Sequence, residues 1–134
     1  MSTTANQQII QRRVEEIWNQ GKLATIDELI AANLISNGQS IGREGFRQFV
    51  TAVRSAFPDI HFTVEDSLAQ GDKVAIRYTG RGTHQGAFAG IPATGKPVQF
   101  SGIDIFYIAN GQMAEEWLMY DQLGLLQQIG AMPT

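Results

Sequence analysis

The chain has 134 residues, 43% hydrophobic and 17% charged, with a net charge of −3 and no cysteine. That length suits one domain with a core and a small-ligand cavity, and the charged fraction lies below the roughly 25% usual for a soluble domain, so ionisable groups inside apolar runs stand out. An acidic balance without a basic stripe excludes nucleic acid, zero cysteine excludes disulfides and thiolate chemistry, and the lack of a membrane-length apolar run or signal-peptide core predicts a cytoplasmic protein with no membrane contact.

Residues 1–6 are polar and are expected to be flexible. Ile10, Val14, Ile17 and Trp18 then recur at helical spacing, and Gly21 closes this first helix. Thr25-Ile26-Asp27-Glu28 has the form of a capping box opening a short second helix. Asn37-Gly38 reads as a tight turn between two short strands. Phe46, Phe49, Val50, Val53 and Phe57 mark the apolar face of a third helix, which Pro58 stops. From Ile60 the period becomes two: one strand runs toward Leu68, the chain turns at Gln70-Gly71-Asp72-Lys73, and a second strand returns through Val74, Ile76 and Tyr78. If Gly71-Asp72 is the turn, Arg77 pairs with Asp66 across the strands. After a glycine-rich loop, 82–95, the runs Val98–Ile108 and Met113–Tyr120 form a hairpin about Asn110-Gly111. Three helices and a strand meander predict a single α+β domain, 1–134, with the sheet curled around the helices and a pocket at its wide end.

The hairpin register sorts its side chains. With Asn110 and Gly111 in the loop, Ala109 faces Gln112, and counting outward puts Asp104 opposite Trp117 and Phe100 opposite Asp121. One face then carries Phe100, Asp104, Phe106, Trp117, Met119 and Asp121, the lining expected of a cavity for a flat, polar-edged ligand. The other face, with Ile103, Ile105, Glu116, Leu118 and Tyr120, suits a subunit interface. Asp104 and Asp121 lie roughly 13 Å apart along the strand direction, which rules out a shared-proton dyad.

Asp121 follows an apolar strand and has no neighbouring countercharge. Desolvation there would raise its pKa and let it accept and return a proton near neutral pH. That role, and with it the enzyme reading from sequence, requires Asp121 to be buried beside the cavity and falls if it is solvent-exposed; the alternative is that it caps the Leu123–Ile129 helix. His61 and His84 are the only histidines, so a three-histidine metal site is excluded. His61 is expected at the surface, and His84 could reach the cavity mouth from its loop. Gly80-Arg81-Gly82-Thr83-His84-Gln85-Gly86 misses the dinucleotide spacing by one residue, and neither a nucleophile elbow nor a phosphate loop is present.

Three stretches, Gly82–Lys96 beginning Gly-Thr-His, Gly111–Trp117 and Asp121–Gly130, together with the helix from Gly45-Phe46 to Phe57-Pro58-Asp59, resemble the SnoaL-like polyketide cyclases, also called SnoaL-like ester cyclases. The resemblance runs over nearly the whole chain from about Val14. It implies the cone-shaped nuclear-transport-factor-2-like fold, a homodimer packed through the β-sheet, and no cofactor. It also implies that Asp121 is the catalytic acid/base, removing a C–H proton from a small apolar or aromatic carbonyl compound so that the enolate closes a ring by intramolecular aldol attack. His84 matches the family's Gly-Thr-His motif and Trp117 its Glu-His-Trp motif. The chain departs from relatives at Glu116, where many have histidine, at Ser36-Asn37, where many have an Asp-His pair, and at Leu118, where an aspartate is common.

The expected site therefore has Asp121 and His84 as catalytic groups and Trp18, Asn37, Phe57, Tyr78, Phe100, Asp104, Phe106, Trp117 and Met119 against the substrate, with no metal. His84, Asn37 and Tyr78 are the candidate oxyanion donors. A cofactor-free isomerase or hydrolase, and a non-catalytic ligand-binding dimer, are the competing readings of the same pocket.

Overall fold

The computed structural model describes residues 3–132. Helix α1 (Thr3–Arg12) runs into a π-helical segment (Arg13–Asn19), followed by α2 (Ala24–Leu29), β1 (Ile30–Ser36), β2 (Gln39–Ser40), α3 (Gly42–Ala56), β3 (His61–Gln70), β4 (Lys73–Thr83), β5 (Pro97–Ala109), β6 (Gln112–Tyr120) and α4 (Gln122–Gln128). The strands make one open six-stranded sheet in the order β2-β1-β6-β5-β4-β3. Only β1 and β6 run parallel. The expected α+β architecture, helices packed on a mixed sheet, is thus present. No helix among the described residues is long and apolar enough to cross a membrane.

The N-terminal helix differs from expectation at its start and in its winding, although Gly21 closes it as expected. Thr3 to Asn6 are helical, because buried Asn6 docks the first turn by donating to the Gly71 carbonyl at 3.1 Å; Met1 and Ser2 lie outside the described residues. At the other end the winding loosens, and Gln20 N–H donates to the Glu15 carbonyl five residues back at 3.0 Å. Gly21, at φ +72°, then stops the helix while Lys22 N–H closes on the Glu16 carbonyl. The capping box does not form either. Thr25 is buried inside α2 and donates its hydroxyl to Glu16 at 3.1 Å, and no side chain caps the helix.

Turn chemistry is as expected. Asn37-Gly38 and Asn110-Gly111 adopt paired positive φ values, +49° and +81°, +54° and +74°. Arg77 meets Asp66 at 2.8 Å across β3 and β4.

The β5–β6 hairpin contains the main departure. Ala109 pairs with Gln112 and Ile108 with Met113, as expected, but Tyr107 then pairs with Glu115. Ala114 is an extra residue, a β-bulge, and beyond it every β6 partner shifts by one: Phe106 faces Glu116, Asp104 faces Leu118 and Ile103 faces Met119. Because side chains alternate, the slip turns β6 over. Glu116 is fully buried against the helices, while Trp117 (45% exposed) and Met119 (75%) point outward. The expectation that Trp117 and Met119 line the cavity is corrected accordingly. They join Ile103 and Ile105 in an exposed apolar patch on the outer sheet face.

Inside, the core gathers Ile10, Ile17, Ile26, Leu34, Phe46, Val50, Val74, Phe106 and Met113. Two glycines shape its floor. Gly102 sits opposite Tyr78 and Gly80 opposite Phe100, so each ring lies across a residue that has no side chain. A Cβ on Gly102 would stand 2.5 Å from the Tyr78 hydroxyl oxygen, and one on Gly80 would stand 2.6 Å from the Phe100 ring. Gly102→Ala should therefore cost about 1–3 kcal/mol through overpacking. Urea unfolding checks this, and an unchanged midpoint would show that the ring can move aside.

Candidate active site

A cavity opens between the helices and the inner sheet face. The π-helical segment supplies Arg13, Val14 and Trp18; α3 supplies Phe49 and Val53; and Phe57 and Ile60 come from the connection into β3. Phe62, Ile76, Tyr78, Phe100, Asp104, Leu118 and Tyr120 form the strand wall, and Phe88 and Leu125 complete the lining. Aromatic rings meet edge to face around it: Trp18 with Phe62 at 5.3 Å, Phe62 with Tyr78 at 5.4 Å, and Phe100 with Tyr120 at 5.9 Å. Such walls suit a flat apolar ligand.

Polar groups are few. Asp104 is the one carboxylate of the lining and is only 4% exposed. Burial pushes its pKa up to about 6, opposed by the Arg13 guanidinium and by the Met119 backbone N–H, which donates to it at 3.4 Å, and reinforced by Glu116. Burial likewise raises the Tyr78 and Tyr120 phenols above their ordinary value, with Asp104 adding to the effect on Tyr78. Both phenols therefore stay protonated at neutral pH. A carboxyl that titrates near 6, in a cavity lined also by two neutral O–H groups, can take up and return a proton in the physiological range.

Behind the cavity, Arg13 lies in a stack. Its guanidinium carbon is 4.6 Å from the Phe106 ring centre and 5.7 Å from that of Phe46, and its terminal nitrogen reaches Glu116 at 3.2 Å. Glu116 also accepts from the Ser36 hydroxyl at 2.8 Å. Two positions at which the chain departs from the sequence resemblance, 36 and 116, are thus register partners in direct contact. A third, Leu118, faces the cavity directly opposite Asp104.

Of the expected site residues, Trp18, Phe57, Tyr78, Phe100 and Asp104 come together in the lining. Asp121 does not. The bulge leaves it exposed at the start of α4, where its carboxylate accepts the Gly124 N–H at 2.9 Å, the alternative helix-cap position. His84 is fully buried, but behind Phe57 (ring centres 5.6 Å apart) rather than at the mouth. Its Nδ1 accepts the Thr94 N–H at 3.3 Å and lies 2.9 Å from the Thr94 hydroxyl, so the ring ties the glycine-rich loop together. Asn37 is an exposed turn residue whose side-chain oxygen accepts from the Leu118 N–H at 2.7 Å. Phe106 is core beneath Arg13. His61 is exposed, as expected.

Sequence reasoning missed Arg13, Glu116, Leu118 and Tyr120. The signal for Arg13 was present: Ile10, Arg13 and Ile17 share helical spacing, which puts a charge on the apolar face. No three His, Cys, Asp or Glu side chains among the described residues converge as a metal site would require.

Helices over an open mixed sheet, with an aromatic cavity between the layers, define a domain of the nuclear-transport-factor-2-like class. The sequence profile of the SnoaL-like polyketide cyclases matches residues 8–129, and the chain belongs to that family. It is 28% identical over 126 residues to aklanonic acid methyl ester cyclase DnrD of Streptomyces peucetius, covering 89% of this chain and 87% of that protein. Among solved structures, TsrD from Streptomyces laurentii superposes with a TM-score of 0.91 at 30% identity, covering 98% of this chain and 99% of that one. IdmH from Streptomyces antibioticus does so with a TM-score of 0.83 at 31% identity, covering 93% and 98%.

Two measurements follow from this geometry. The unfolded Asp104 carboxyl titrates near 3.9 and the folded one near 6, so the folded state holds the proton more tightly; stability is full below about pH 4 and declines as pH rises through 6, by about 3 kcal/mol in all. Asp104→Asn should therefore resist urea better than wild type at pH 7.5, with the advantage vanishing toward pH 4. A gain equal at both pH values would contradict a carboxyl that is costly to ionise. By contrast, Asp121→Ala should lose about 1 kcal/mol as a helix cap.

Proposed function

We propose that the protein is a cofactor-independent cyclase that uses acid/base catalysis on a small apolar carbonyl compound, with Asp104 as the proton-carrying group. The observation that carries this reading is a lone carboxylate, with its pKa raised to about 6, in an otherwise aromatic cavity. Kinship with DnrD, a methyl ester cyclase, supports ring closure as the reaction. The ionised carboxylate takes a proton from carbon next to a carbonyl, and the C–H electron pair becomes an enolate. Tyr78 and Tyr120 donate to the enolate oxygen. The enolate carbon then bonds to a second carbonyl of the same molecule, and the resulting alkoxide takes the proton back from Asp104. Ketosteroid isomerases, in which an aspartate base works with a tyrosine donor in an apolar site, follow the same physical logic.

This assignment moves the acid/base role from Asp121, where the resemblance implies it, to a carboxyl inside the cavity. A deuterium-exchange assay on β-ketoesters separates the two. Asp104→Asn should lose exchange by about 10²-fold or more while Asp121→Asn keeps most of it, as the usual worth of a general base implies. Loss only in Asp121→Asn would return the role to that residue. Exchange absent from wild type, with ligand affinity unchanged in both variants, would favour the ligand-carrier reading. In the wild-type enzyme, exchange should rise with pH along a limb centred near 6, because the base must be ionised.

We further propose that the chain works as a homodimer. Ile103 pairs with Met119 and Ile105 with Trp117 on the outer face, which sets four exposed apolar side chains side by side on the central strands. Sedimentation should give a dimer, and Met119→Lys should shift it toward monomer.

A further inference from the structure

The cluster behind the cavity contains two carboxylates and one cation. Glu116 is fully buried, Asp104 is 4% exposed and Arg13 is 3% exposed, so bulk water neutralises none of them. Arg13 is committed to Glu116 through one terminal nitrogen, and its Nε is buried with no hydrogen-bond partner. Glu116 is satisfied twice, by Arg13 at 3.2 Å and by the Ser36 hydroxyl at 2.8 Å. Among the described residues Asp104 has only the long 3.4 Å contact from the Met119 N–H. With both acids ionised the cluster carries one uncompensated negative charge in a low-dielectric site; with one proton aboard it is neutral.

We propose that Arg13 is a positioning residue, held by Glu116 and Ser36 so that its guanidinium bears on Asp104 at the cavity wall. The Glu116–Ser36 contact anchors the guanidinium, and Glu116 competes with Asp104 for its field. The other titratable groups around Asp104 are the neutral phenols of Tyr78 and Tyr120; α3 brings only Phe49 and Val53 to the cavity, and α4 only Leu125. This inference rests on reading Asp104 as the proton-carrying group, yet it concerns the resting protein and can be measured without substrate.

The test is an NMR titration of the Asp104 side-chain carboxyl in 13C-labelled protein. Glu116→Gln removes the competing negative charge and keeps an acceptor for Arg13. The Asp104 midpoint should then fall by about one pH unit, because a nearby like charge has gone and the arginine acts on Asp104 alone. In the double variant Arg13→Met, Glu116→Gln, where Asp104 is the one ionisable group left in the cluster, the midpoint should instead rise above that of wild type, since Arg13 acts on Asp104 more strongly than Glu116 does. A purely structural ion pair would shift neither midpoint, or both in one direction, and either result overturns the proposal. Should the double variant not fold, Glu116→Gln alone decides, because an unmoved midpoint there is sufficient refutation. Loss of β-ketoester exchange bears on the function and leaves this titration as it is, so the two readings fail separately.

Discussion

One extra residue in β6 decides which side chains meet the helices. Where Tyr107 pairs with Glu115 and Ile108 with Met113, Ala114 has no partner, and the strand turns over. Beyond the bulge, Glu116, Leu118 and Tyr120 face inward, and Trp117 and Met119 face out. Without it, a tryptophan and a methionine would fill the cavity, and Glu115 would take the inward place opposite Phe106 that Glu116 now holds. Bulges re-aim side chains in this way at the cost of one ladder position. The gain here is a polar end for the cavity and an apolar outer sheet face.

The π-helical segment is the matching device on the helix side. Arg13, Val14 and Trp18 all come from it, and all line the cavity. The looser winding sets residues five apart on one face, so Arg13 and Trp18 reach the cavity together. Burying Arg13 is expensive, and a paired buried charge contributes little net stability compared with an apolar pair of the same volume. Removing either partner alone is different, because it strands a charge among Phe46, Phe106 and the core aliphatics. The pair is therefore better understood as fixing a register, with Arg13 locked to β6 and β6 locked to β1 through Ser36. Its worth lies in how specifically it sets those positions.

Much of the fold was legible because periodicity and turn chemistry report local geometry. Asn37-Gly38 and Asn110-Gly111 set both tight turns, Pro58 follows the end of α3, and the Asp66–Arg77 pair followed from the turn at Gly71-Asp72. The bulge was not legible, since nothing in Ala114 distinguishes an extra residue from a paired one; the alternation Trp117, Met119, Asp121 then assigned the wrong face. The site was half legible for the same reason. Phe100 and Asp104 on β5 were placed correctly, because β5 keeps its alternation from 98 to 108. Asp121 was misplaced because its surroundings were inferred from β6. The capping role weighed against catalysis at that position is the one its contact with Gly124 fulfils.

The bulge also gives physical meaning to Leu118, where the family resemblance leads one to expect an aspartate. Position 118 is the direct partner of Asp104, and side chains so paired stand roughly 5 Å apart at their Cβ atoms. An acid there would share a proton with Asp104, and its like charge would push the two titrations apart. Leucine achieves the same elevation by other means, since it removes water without adding charge, and desolvation is the largest contribution at Asp104. Under the proposed mechanism one carboxyl then serves as both acceptor and donor. A group that titrates near neutrality in an apolar cavity can do so, because neither of its forms is strongly favoured over the other at working pH.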